Sequence, residues 1–134
     1  TMGFLMSSGI MEGGKALRGI TEMEGGALAD FLVGFADGIQ KRGKCQVGQR
    51  TVYDAVKPAA DAAMACAKAK PDATLQEVIV AALQAAAAGV ESTKTMVPVF
   101  GKAAVHAAQC AGVADQGAIA GYYVILGISQ FLGA

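Results

Sequence analysis

Four polar, glycine-bearing segments of this chain carry residue types that could meet a ligand. The first, GIMEGGKA at residues 9 to 16, fits the spacing of a phosphate-cradling loop, where glycines let backbone N–H groups approach and a Lys reaches the phosphate. That frame requires Ser or Thr at the next position to hold Mg2+, and Ala16 stands there. It also requires a preceding strand in a parallel sheet, for which the sequence has no pattern. A Gly-rich turn before a helix could still offer N–H groups to a phosphate without that fold. The second segment is VGQRTVYDAVKPA, residues 47 to 59. Thr51 alone would cap a helix start, so Gly48 and Arg50 exceed what a cap requires. The third is GVESTKTMVPVFGKAAV, residues 89 to 105, broken by Pro98 and Gly101, and the fourth is GVADQGAIAGY, residues 112 to 122. Singly, each reads as a helix end with solvated side chains, Asp115 capping the last helix. Together they suit a helical bundle that binds a ligand at its mouth.

Other chemistries have little support. His106 is the sole His and has no acidic or hydroxyl partner spaced for a triad. Cys45, Cys66 and Cys110 lie far apart with no CxxC pair, which reads as reduced thiols in a cytoplasmic protein rather than a zinc site. The aspartates at 30, 37, 54, 61, 72 and 115 are scattered, so no metal site is expected; Asp30 and Asp37 share a helix face and read as solvated. Lys plus Arg equals Asp plus Glu at 11 each, leaving no field to attract nucleic acid or an anionic membrane. The longest apolar run, GYYVILGISQFLGA at 121 to 134, is too short to span a bilayer and reads as a core helix. No secretory signal is visible. The chain begins abruptly at Thr1, so a single domain over 1–134, truncated at its amino end, is expected.

The elements positioning these segments are helical. The composition is 54% hydrophobic, and much of that is Ala, which favours closely packed helices over sheets. Leu28, Phe31, Leu32, Phe35 and Ile39 follow helical spacing, with Gly43 as the stop. A helix from about Thr51 to Lys70 contains Pro58, which is expected to kink it or start it afresh. TLQE, residues 74 to 77, is a capping box, and the following helix carries Leu75, Val78, Ile79, Ala82, Leu83 and Ala86 on one stripe to about Met96. Residues 1 to 6 read as the tail of a helix entering a loop, SSGIMEGG. Short helices are expected at 15 to 23 and 102 to 110, and a closing helix from Ala118. The fold class is all-α, a bundle of antiparallel amphipathic helices with short loops.

Ser7-Ser8 before a Gly-rich stretch, G-x-R-T-x-x-D-A-x-x-P-A from Gly48, G-x-x-x-T-K-x-M from Gly89 with Gly101-Lys102-Ala103 after it, and D-x-G-A from Asp115 occur in this order. They resemble the nucleotide-binding L subunit of dihydroxyacetone kinases, over nearly the whole chain. The resemblance implies a barrel of antiparallel amphipathic helices holding Mg-ADP or Mg-ATP at one end. By position, it implies that Glu12, Gly13 and Gly14 sit in a loop facing the phosphates. Gly43, Thr51 and Val52 would line the adenine end, Lys102 would lie near the phosphates, and Asp115 would belong to a turn at the site. It further implies a K subunit or domain that holds the short-chain ketose. A phosphoryl-donor subunit of a phosphotransferase system is the other partner found in such kinases.

The chain departs from the family pattern at points that bear on chemistry. It lacks the G-D-x-D-H-G segment whose aspartates hold two Mg2+ ions, and triphosphate chemistry needs those cations. Gln49 replaces Asp, Gln116 replaces Pro, and His106-Ala107-Ala108-Gln109 replaces a G-E-R stretch. Lys102 replaces an Arg, giving a point charge in place of a bidentate fork. The segment between Gly19 and Gly38 is shorter than usual. Three readings stand side by side: the nucleotide domain of a kinase, a non-catalytic homologue kept for protein contacts, and a kinase domain for carrier-bound fatty acids. On the charge available, residues 1–134 alone are expected to bind Mg-ATP poorly and to transfer no phosphate.

Overall fold

The computed structural model describes residues 2–15, 24–97 and 112–134. Among them the chain is helical with no strand: α1 (Met2–Lys15), α2 (Gly25–Gly43), α3 (Tyr53–Ala69), α4 (Leu75–Ser92), a 3-10 turn (Thr93–Thr95), and α5 (Gln116–Phe131). Sequential helices pack side by side, α1 on α2, α2 on α3 and α3 on α4, and α5 closes against α4 and α3. The all-α expectation holds. The helices expected at 15 to 23 and 102 to 110 fall almost wholly outside the described residues.

The loop expected at SSGIMEGG is helix instead, because α1 runs unbroken through it. Glycine is the poorest helix former after proline, so packing must hold α1 together. The packing partner is α2. A Cβ on Gly38 would come within 2.5 Å of the Ser8 carbonyl oxygen, and one on Gly34 within 2.8 Å of that of Glu12. A Cβ on Gly9 would lie 2.9 Å from the Phe35 carbonyl oxygen, and one on Gly13 would lie 2.8 Å from that of Phe31. Two glycines four apart on each helix therefore let the backbones touch. Of the glycines in the apparent phosphate loop, Gly9 and Gly13 form a helix–helix contact, whereas a Cβ on Gly14 would meet nothing within 4 Å.

In α2, Leu28, Leu32, Phe35 and Ile39 are buried as their spacing requires. The helix includes Gly43 and ends one residue later, where Lys44 takes a left-handed backbone (φ 50) and its N–H bonds to the Gln40 carbonyl at 2.7 Å. Gly43 is needed for space: a Cβ there would lie 3.0 Å from a Leu5 methyl.

Pro58 does not start a fresh helix, since one helix spans Tyr53–Ala69 with the proline inside it. Its ring nitrogen cannot bond to the Asp54 carbonyl, four residues back. Gly89 of α4 lies against that same carbonyl, so closely that a side chain on residue 89 would collide with it. A Cα–H directed at the released oxygen replaces part of the missing bond. On α4, the Thr74 side chain accepts the Glu77 N–H at 3.1 Å, as the capping box predicts. Lys70 adds an ion pair to Glu77 at 2.9 Å, and this bond holds the Glu77 carboxyl below its ordinary range. Val78, Ile79, Ala82 and Ala86 are buried, whereas Leu75 and Leu83 are half-buried at the margin of the core. In α5, Ala118, Gly121, Ile125 and Ser129 form the buried stripe.

Candidate functional site

The end of α2, the start of α3, the end of α4 and the start of α5 meet at one end of the bundle. Asp54 organises the first of the loops there. It sits in the first turn of α3, buried, and its carboxylate reaches back to accept the Gly48 N–H at 2.6 Å and the Thr51 N–H at 2.8 Å. Thr51 Oγ1 accepts the Tyr53 N–H at 3.1 Å, and it is the Thr51 carbonyl, not its hydroxyl, that accepts the Asp54 N–H, at 3.0 Å. Gly48 (φ 99) takes a conformation that suits glycine, and it makes the turn.

Arg50 is the centre of the site, and it is not solvated. It is 5% exposed and has a left-handed backbone (φ 60), which costs about 1–3 kcal/mol in a non-glycine residue and persists only where surroundings over-determine it. They do here. Nε donates to the Thr93 carbonyl at 3.2 Å, Nη1 to Asp115 Oδ1 at 3.3 Å, and Nη2 to the Val113 carbonyl at 2.5 Å. Thr93, also buried, accepts the Asp115 N–H on its hydroxyl at 2.9 Å and donates that hydroxyl to the Val90 carbonyl at 2.6 Å. The other Asp115 oxygen accepts the Ala118 N–H at 2.9 Å and caps α5, as its sequence position implies. One guanidinium thus joins the segments 47–54, 89–97 and 112–118, and no buried side-chain N or O atom of this cluster lacks a partner.

Of the residues singled out in the sequence, Gly43, Thr51, Val52 and Asp115 come together. Cys45 follows α2 and is buried; burial pushes its thiol above the ordinary range, and the hydroxyl of Thr51, bonded to it, pulls the other way. Val52 is 1% exposed and packs on Gly121, where a Cβ would lie 3.1 Å from a Val52 methyl. Thr51 is the half-exposed polar member. Glu12, Gly13 and Gly14 lie elsewhere. Gly13 packs at the level of Phe31, about 18 Å along α2 from Gly43 at 1.5 Å per residue. Glu12 pairs with Lys15 at 2.9 Å and Lys41 at 3.7 Å, and the Lys15 bond lowers its carboxyl's pKa. Lys102 lies outside the described residues. Among the described residues no three His, Cys, Asp or Glu side chains gather as a metal cluster.

Sequence reasoning missed Arg50, Asp54 and Thr93 as a unit. The signal for Asp54 was present: T-x-x-D is a capping spacing. Burial of Arg50 had no local signal, because its acceptors are 43 to 65 residues away.

The exposed surface at this end is mixed, with Lys44, Gln46, Glu91, Thr95 and Gln116 open to solvent among glycines and valines. Gly48 and Gly112 are exposed, and Val47 and Val113 are each 57% exposed beside them. The arrangement is an all-helical bundle whose helix-end loops are tied by a buried arginine. The DAK2 domain model matches residues 1–130, and the chain belongs to that family, the L-subunit type of the dihydroxyacetone kinases. No curated protein matches it. No helix among the described residues is long and apolar enough to cross a membrane.

Proposed function

We propose that this domain holds ADP or ATP for a dihydroxyacetone kinase-type phosphotransferase, with the short-chain ketose carried by a separate K subunit or domain. The observation that supports this reading is that Arg50, next to Thr51, is tied to Thr93 and Asp115 of two other segments. Exposed glycine backbone at Gly48 and Gly112, with the exposed Val47 and Val113, suits the flat, uncharged face of a purine.

The magnesium-phosphate half of such a ligand does not fit the described residues. The N–H groups of Glu12, Gly13 and Gly14 lie within an α-helix and are bonded inside it, so they cannot cradle an anion. Asp115 is committed to Arg50 and to the α5 cap. We therefore expect this chain to bind ADP weakly, mainly through the base, and to transfer no phosphate by itself. Titration with adenosine and ADP, each with and without Mg2+, tests this. Comparable affinities in all four cases support the reading, and tight binding that requires Mg2+ overturns it.

A second reading, a non-catalytic homologue retained for protein contacts, is favoured by the same internal use of Arg50 and Asp115. Failure of both ligands to bind would support that reading.

A further inference from the structure

We propose that Arg50 is a positioning residue that presets the shape of the nucleotide end without touching the ligand. The inference rests on the nucleotide reading of that end and goes beyond it, because it assigns a role to a residue that an anionic ligand would be expected to recruit.

The geometry argues against Arg50 as a phosphate ligand. Its side chain is 3% exposed, and its three nitrogens donate to acceptors from two other segments. To meet a phosphate it would have to leave a carboxylate and two carbonyls in a buried setting, which would strand all three acceptors. The same geometry makes it a spacer. The fork is planar and rigid, so it fixes Val113 and Asp115 relative to Thr93, while the Arg50 backbone fixes all of them relative to Thr51. A lysine at this position would put all its donors on one nitrogen and could not hold the three acceptors in this spread geometry. The left-handed backbone turns the side chain inward and leaves Gly48 and Thr51 on the outer side of the loop.

Arg50→Gly provides the cleanest test, because glycine accepts φ 60 without strain and the variant removes only the side chain. Amide hydrogen exchange at Asp115 and Ala118 should quicken by about tenfold or more, as for loss of a charged hydrogen bond, relative to amides in the middle of α2 and α3. Added ethylguanidinium should restore that protection, an effect opposite to its weak general action as a denaturant. In the same samples, the ADP-induced amide shifts at 47–52 and 112–115 should weaken in Arg50→Gly and recover with ethylguanidinium. Arg50→Lys should resemble Arg50→Gly without rescue. Unchanged exchange in Arg50→Gly overturns the proposal, as does a direct ADP-induced shift of the wild-type Arg50 Nε–H signal. Altered and rescuable exchange with no ADP response in the wild type upholds the positioning role and removes the nucleotide reading instead.

Discussion

Arg50 Nη1 lies 3.3 Å from Asp115 Oδ1, across 65 residues of sequence, with both side chains largely removed from water. Asp115 also caps α5, so the pair couples the entry of α3 to the entry of α5. Breaking a buried pair leaves an uncompensated charge, which costs about 3–5 kcal/mol. Asp115→Ala should lose about that much in urea unfolding. Asp115→Asn, which keeps a capping oxygen, should lose less. Equal losses would show that the charge on Asp115 contributes nothing.

The glycines of α1 and α2 provide a second test. Gly38→Ala gains up to about 1 kcal/mol of helix propensity but drives a methyl into the Ser8 carbonyl, and overpacking costs about 1–3 kcal/mol. Net destabilisation is expected. Gly127→Ala in α5 has nothing within 4 Å and should stabilise by roughly 0.5–1 kcal/mol. If Gly38→Ala also stabilised the protein, α1 would not lie against α2 as described.

Core position should grade the α4 stripe. Ile79 is fully buried, so Ile79→Ala should cost about 2–5 kcal/mol through transfer and cavity formation. Leu83→Ala should cost less, because Leu83 is only half-buried at the core margin. The reverse order in denaturant unfolding would mean that α4 presents a different face.

Alkaline pH should weaken the fold. Burial raises the pKa of both the Cys45 thiol and the Tyr53 phenol, so the folded state holds these protons more tightly than the unfolded state does. Their contribution is complete below the unfolded values and is lost as pH rises through the folded ones, beginning near pH 8.5 for a free thiol and 10 for a phenol. Urea midpoints should fall from pH 8 to pH 10.5, and Cys45→Ala should flatten the early part of the fall. A midpoint that rises with pH would contradict this.

These tests also show where local pattern was enough. The Leu28–Ile39 stripe and the Thr74/Glu77 box could be read from the sequence because helix period and capping are local rules. Asp115 as a cap was legible for the same reason. Gly9, Gly13, Gly34 and Gly38 were not, since a glycine that makes a turn and one that admits a neighbouring backbone look alike in one dimension. Pro58 posed a similar problem: its partner, Gly89, lies on another helix. At the site, the motifs beginning at Gly48, Gly89 and Asp115 fall in the segments that Arg50 joins. Whether Arg50 faces solvent, ligand or protein depended on acceptors brought in by α4 and α5.

The most direct test of the central claim is an amide-resolved titration of the chain with ADP, with and without Mg2+. The account predicts saturable shifts grouped at residues 47–52 and 112–115, little changed by Mg2+, with Glu12, Gly13 and Gly14 unaffected. Shifts centred on Glu12 to Gly14, or no response at 47–52 and 112–115, would contradict it.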